Sequence, residues 1–263
     1  MKHIYILAIA VVACSQVKEK STSEQESTPV KVEASVKDEH HSESIKKVFS
    51  AHGTYAQWAS MGSLSFKLGD ETHLTNLKNR KALIKSPART IGFDGQDVWV
   101  TPDSIDASRA RFYHNLFFYF YAMPFVVGDP GAFYEDVAPR ELEGKVYGGI
   151  KVSYGDGVGD SPKDYYIIWY DPNTFKMEWL MYTVTYGKEE ANESFSLIKY
   201  SKWAEISGLL LPTALQWYSY KDGEVGEMRS ERIFEEISIA ENEPDDELFI
   251  MPEGAQISPA PER

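Results

Sequence analysis

From Leu64 onward, apolar and polar residues alternate with a period of two along most of the chain, the pattern of half-buried strands. Leu64, Phe66 and Leu68 alternate with Ser63, Ser65 and Lys67. Further strand runs are expected over 73–78, 80–86, 89–93, 97–101, 145–154, 165–171, 176–186, 195–201, 210–220 and 228–239. Asp94-Gly95, Asp171-Pro172-Asn173 and Lys221-Asp222-Gly223 separate neighbouring runs and have hairpin turn chemistry. Connections this short leave no room for crossover helices, so the strands are expected to pair antiparallel.

Two segments follow a helical period instead, one before the alternation and one within it. Ile45, Val48, Phe49, His52, Tyr55 and Trp58 recur at helical spacing, with Ser42 or Ser44 placed to cap the start. Ala107 to Met123 holds Phe112, Tyr113, Phe117, Phe118, Tyr119, Phe120 and Tyr121, too many for a helix with one wet face. Pro124 stops this second helix, and Gly128-Asp129-Pro130-Gly131 makes a turn. A helix apolar on most sides needs cover on most sides. The expected fold is therefore mainly β (α+β): a large curved antiparallel sheet or half-open β-barrel, with an N-terminal helix and a central aromatic helix in its concavity.

The N-terminus reads differently. Lys2 precedes the apolar run Ile4 to Ala13, which would span about 15 Å as a helix, half of a bilayer core and too short to cross it. Small residues close the run, as in a short secretory signal. The ending Val11-Val12-Ala13-Cys14 resembles the lipobox of bacterial lipoproteins. That resemblance implies a diacylglyceryl group on the Cys14 thiol, and two or more acyl chains anchor a protein stably. Residues 1–13 are accordingly read as a lipoprotein signal peptide and 14–43 as the lipidated Cys with a flexible polar tether. Ser15 to Glu43 has no Phe, Tyr or Trp and few apolar side chains to offset the cost of ordering. His40 and His41 are read as exposed members of that tether. Residues 44–263 form one β-rich domain.

Composition narrows the functional classes. Lys plus Arg number 27 and Asp plus Glu 40, a net charge of −13. Such a chain is repelled by a phosphate backbone, which argues against nucleic acid, and it is no polybasic membrane-surface module. A single Cys excludes an internal disulfide framework and a Cys-based zinc finger. Motifs of the HExxH, GxSxG and phosphate-loop types do not occur in the sequence.

Three chemistries compete for what is left. Asp156, Asp160 and Asp164 lie in a Gly-rich loop and could hold Ca²⁺, but the spacing is not that of an EF-hand and suits a turn-rich connection. Asp94, Asp97, Asp129, Asp160 and Asp164 could supply a carboxylate pair for glycan hydrolysis. Asp94 before Gly95 and Asp129 before Pro130 are more simply turn residues. His114, among aromatics, could act as a base against Asp129 or be a satisfied core histidine. No catalytic residue, metal site or cofactor is assigned. The aromatics, 13% of the chain, are the strongest feature. Trp99, Phe112, Phe117, Phe120, Phe125, Trp169, Trp179 and Trp217 lie on strands or on and beside the central helix, where a concave apolar space is the default ligand site.

Helix, antiparallel meander and second helix resemble the half-open β-barrel of the outer-membrane lipoprotein carriers and receptors (the LolA/LolB-like group). A closer resemblance is to an uncharacterised family of bacterial lipoproteins known as a domain of unknown function. Ile91 to Val100, Tyr119 to Gly131, Gly159 to Tyr166, Gly208 to Pro212 and Asp245 to Phe249 carry it. The resemblance implies a hydrophobic cavity between barrel and helices that accepts acyl chains. The function expected is a lipid-anchored cell-envelope protein, at the outer membrane facing the periplasm, binding an acyl chain, lipid or lipoprotein. An envelope scaffold lipoprotein without a ligand and a hydrolase of envelope glycans or lipids are the alternatives.

Overall fold

The computed structural model describes residues 40–155, 164–185 and 194–260. Cys14, Asp156 and Asp160 lie outside the described residues.

The N-terminal helical pattern is realised as two helices, α1 (Glu43–Ala51) and α2 (Tyr55–Ser60), rather than one. Ser42 caps α1, its hydroxyl accepting from the Ile45 amide at 3.3 Å. The break falls at Gly53, whose φ is +113°, and a Cβ there would lie 2.3 Å from the Gly208 carbonyl oxygen. Only glycine meets both demands. Thr54 then caps α2, accepting from the Gln57 amide at 3.2 Å.

Five short strands follow as a meander: β1 (Ser63–Leu68), β2 (Glu71–Asn76), β3 (Ala82–Lys85), β4 (Thr90–Phe93) and β5 (Val98–Thr101). The aromatic helix α3 (Ala110–Tyr121) and a 3₁₀ turn (Phe125–Gly128) lead into seven further strands. These are β6 (Ala132–Leu142), β7 (Lys145–Tyr154), β8 (Tyr166–Tyr170), β9 (Met177–Tyr182), β10 (Ser196–Ile206), β11 (Leu209–Lys221) and β12 (Glu224–Ile233). Finally, β13 (Glu235–Ala240) and β14 (Gln256–Ile257) return to the first group.

Hydrogen bonding divides the strands into two seven-stranded sheets, β13-β1-β2-β3-β4-β5-β14 and β12-β11-β10-β9-β8-β7-β6, neither of them closed. Every pairing is antiparallel. The run expected over 228–239 is two strands, because the chain changes sheet at Phe234. Its ring is buried edge-on against Phe66, with centroids 5.1 Å apart, and beside Tyr121 at 4.8 Å. Strand β6 lies outside the expected set: it is a sheet edge, mostly exposed, and its register shifts between Val137 and Arg140 around Pro139. An edge strand tolerates such a proline because one row of its amides pairs with nothing.

Helix α3 packs between the two sheets. Ala110 joins Ile84, Ile91, Val98 and Val100 of the first sheet in one apolar cluster. At the other end Tyr121 stacks on Phe66 at 4.7 Å, and the Tyr200 hydroxyl of β10 donates to the Phe120 carbonyl at 2.6 Å. The start of α3 has no side-chain cap from its own segment. Ser258 supplies one, accepting from the Arg111 amide at 3.0 Å and donating to the Ala107 carbonyl at 2.5 Å.

The second sheet is apolar on both faces. Ile150, Ile168, Leu180, Ile198 and Leu215 face α3. Trp169, Trp179, Met181 and Leu197 occupy the opposite face with Leu142 and Tyr147. Val137 of β6 and Val225 of β12, at opposite ends of the strand order, both pack on this outer cluster, so the sheet curls round it. His41 departs from the reading of His40-His41 as exposed. It is buried, its Nε2 donates to the Gly128 carbonyl at 2.9 Å, and its ring meets Tyr55 and Phe49 edge-on.

Candidate ligand-binding cavity

Between α3 and the inner face of the second sheet lies a cavity of about 500 Å³. The sheet contributes Tyr154 from β7, Tyr166 from β8, Tyr182 at the end of β9 followed by Thr183 and Val184, Trp217 from β11, and Ser230 and Arg232 from β12. Helix α3 contributes Phe112, Leu116, Phe117, Tyr119 and Phe120, with Arg111, His114 and Asn115 toward its start. Pairing explains why these strand residues meet: Tyr166 stands opposite Tyr182, and Trp217 opposite Ser230. Period-two alternation then puts all of them on the face turned to α3.

Of the eight aromatics expected at a ligand site, Phe112, Phe117, Phe120 and Trp217 line this cavity. The rings of Phe117 and Phe120 meet Trp217 edge-on at 6.4 and 5.8 Å, and the Trp217 indole donates to the Tyr182 hydroxyl at 3.1 Å. The other four lie elsewhere. Phe125 stacks on Trp58 at 5.2 Å, under α1 and α2. Trp99 packs over Gly92 on the outer face of the first sheet, donating to the Phe249 carbonyl at 3.1 Å. Trp169 and Trp179 belong to the outer cluster of the second sheet. The reason is parity: Trp169 follows the inward Ile168, and Trp179 precedes the inward Leu180.

Three of the lining residues that sequence reasoning passed over are tyrosines of the second sheet. Burial pushes the hydroxyls of Tyr154, Tyr166 and Tyr182 up from the ordinary tyrosine range, so they are neutral donors at physiological pH. The Tyr154 hydroxyl is buried without a hydrogen-bond partner among the described residues. Their inward parity with Val152, Ile168 and Leu180 was readable; that the two sheets leave a space there was not.

Of the carboxylates proposed for catalysis, Asp94 and Asp129 are engaged away from the cavity. Asp94 accepts from the Gln96 and Asp97 amides at 2.8 Å each, a turn-building role. Asp129 does not meet His114; the Arg80 guanidinium donates to it at 2.5 Å, opposing the upward push of burial on its pKa. Asp164 lines the cavity while accepting from the Thr185 amide at 2.6 Å. His114 is buried, with its Nδ1 bonded to the Arg111 carbonyl one turn back. Beside the cavity, Glu71 accepts from the Tyr113 hydroxyl at 2.6 Å and pairs with His73 and Arg89. Burial raises the pKa of Glu71, but the hydrogen bonds from His73 and Tyr113 outweigh it and hold the carboxyl below its usual range. Among the described residues no group of three or more His, Cys, Asp or Glu is placed to hold a metal.

Solved structures give distant likenesses. A LolA superfamily protein from Nitrosomonas europaea is 13% identical with a TM-score of 0.43, over 72% of this chain and 87% of that one. A DUF1329 family protein from Desulfovibrio piger is 12% identical with a TM-score of 0.41, over 76% and 92%. An outer membrane lipoprotein-sorting protein domain from Vibrio parahaemolyticus is 7% identical with a TM-score of 0.38, over 70% and 89%. No curated protein matches. Residues 95–224, which run from the turn before β5 to the start of β12 and include α3, match the model of DUF6503, a family of unknown function.

Proposed function

We propose that this chain is a lipid-anchored cell-envelope protein that holds a hydrophobic ligand, an acyl chain or lipid, in the cavity between α3 and the second sheet. The observation that carries the reading is the cavity itself. Its volume falls within the roughly 300–1,000 Å³ of small-molecule sites, and Phe112, Leu116, Phe117, Phe120 and Trp217 make it apolar. Both of its walls belong to packed elements, so the space exists before a ligand arrives and little ordering cost attends binding. Burying about 300 Å² of a ligand's apolar surface there would contribute about 7 kcal/mol before the cost of association. The orphan Tyr154 hydroxyl supports the same reading, since a buried donor without a partner calls for an acceptor from water or ligand. The anchor rests on Cys14 and the apolar run before it.

Cell-free synthesis yields the full chain without acylating Cys14, leaving the cavity open to added ligand. Native mass spectrometry after incubation with palmitate and with hexadecanol is expected to show one bound chain per protein. Absence of either adduct, together with no uptake of a fluorescent fatty acid, overturns the reading. Palmitate labelling in a bacterial host tests the anchor: Cys14→Ser is expected to abolish it.

A further inference from the structure

The two ends of the cavity differ in a way that deepens the reading just given, on which the following rests. The lining runs across the sheet from Tyr154 on β7 to Arg232 on β12. Five strand-to-strand steps at about 4.8 Å make that roughly 24 Å. A cavity of about 500 Å³ drawn out along that length suits one extended chain lying across the strands.

At the β12 end stands Arg232, with Ser230 two residues before it on the same face. In a chain of net charge −13, most cations near carboxylates pair with them. Among the described residues the Arg232 guanidinium hydrogen-bonds only to a main-chain carbonyl, that of Glu231, at 3.1 Å. The Glu231 carboxylate is taken by Gln216 and Lys202 instead. Arg232 is exposed, so its charge costs little to keep, and it faces a cavity with no acidic partner of its own among the described residues. At the far end the lining offers the neutral hydroxyls of Tyr154 and Tyr166.

We propose that the cavity selects a single-chain anionic amphiphile, with its carboxylate or phosphate held by Arg232 and Ser230 at the β12 end and its chain lying under α3 toward Tyr154 and Tyr166. A guanidinium takes either head by paired, charge-assisted hydrogen bonds. Arg232 and Ser230 lie beyond residue 224, outside the segment that matches the family model.

Competition against a bound fluorescent fatty acid tests the proposal, with full chain and four C16 competitors: palmitate, hexadecyl phosphate, hexadecanol and hexadecyltrimethylammonium. Palmitate, hexadecyl phosphate or both should bind at least about tenfold more tightly than hexadecanol, the worth of one charge-assisted contact. The cation should be weakest. Whichever anion binds more tightly tells a fatty acid from a phosphomonoester. Arg232→Gln should bring the anions to within about threefold of hexadecanol, and leave hexadecanol itself unchanged. Tyr154→Phe should leave the anion preference intact. Equal binding of hexadecanol and both anions overturns the proposal while sparing the apolar cavity, as does a preference that survives Arg232→Gln or vanishes in Tyr154→Phe. Tight competition by two-chain phosphatidylglycerol overturns the single-chain assignment. Failure of all four C16 compounds removes the ligand-binding reading itself.

Discussion

His52 lies at the end of α1 with its ring enclosed by Phe125 and Trp203, at centroid distances of 6.5 and 4.8 Å. Its Nδ1 donates to the Val48 carbonyl at 2.8 Å, and its Nε2 is buried without a partner among the described residues. Burial lowers its pKa from 6.5 to about 4, against the opposing pull of that carbonyl. Above pH 6.5 the ring is neutral in both folded and unfolded chains and adds no pH dependence. Below that, the unfolded chain takes up a proton that the folded one refuses until about pH 4. Stability therefore falls as pH drops through this window, by about 3 kcal/mol in all. Urea unfolding at a series of pH values should show the slope, and His52→Gln should remove it; equal slopes in both proteins would rule this histidine out. At the same scale, Trp217→Ala should weaken palmitate binding by about tenfold or more, because it removes the ring that Phe117 and Phe120 both meet. Trp99→Ala should destabilise the fold yet leave binding alone, since Trp99 lies on another face. Titration of each purified variant with fluorescent fatty acid separates the two effects.

Between elements, the joints are set by contacts that no local stretch contains. Gly53 separates α1 from α2 because the chain at Gly208 passes against it. Gly53→Ala would force a side chain into the left-handed region and into a backbone oxygen, and should cost well over 1 kcal/mol, read as a fall in the denaturant midpoint. Ser258 closes the first turn of α3 from the far end of the chain. Ser258→Ala should cost about 1 kcal/mol, concentrated in that turn. Hydrogen exchange should then quicken at Arg111 and its neighbours while α1 stays protected; a uniform change would mean that the cap is not what Ser258 supplies. Both helices were legible as helical runs, and Ser42 as a cap. The break at Gly53 was not, because a glycine in a helical pattern carries no sign of what approaches it.

For the molecule as a whole, the two sheets make one body because the chain runs from β12 of the second into β13 of the first, and α3 lies between them. A ligand held only by the folded form must stabilise it by mass action. Palmitate at a hundred times its Kd should add about 2.7 kcal/mol, a rise of roughly 5–10 °C in Tm for a domain of this size. Stripping the ligand should reverse it. An unchanged Tm at saturating palmitate would place binding outside the folded cavity.

The sequence by itself determined the class of this protein. Alternation determined strands, dense aromatics determined a helix covered on several sides, and short turns determined antiparallel pairing. These follow from local spacing, which a chain carries in one dimension. It also placed Phe112, Phe117, Phe120 and Trp217 among candidates for one site. Tertiary structure decided the rest. Trp169 and Trp179 differ from Trp217 only in which face of the sheet their parity addresses, and that depends on where α3 lies. His41 is buried because Gly128 offers it a carbonyl 87 residues away. The division into two sheets, the room between α3 and the second sheet, and the place of Arg232 at its edge arise from how separated segments meet. Spacing along the chain holds no record of such meetings.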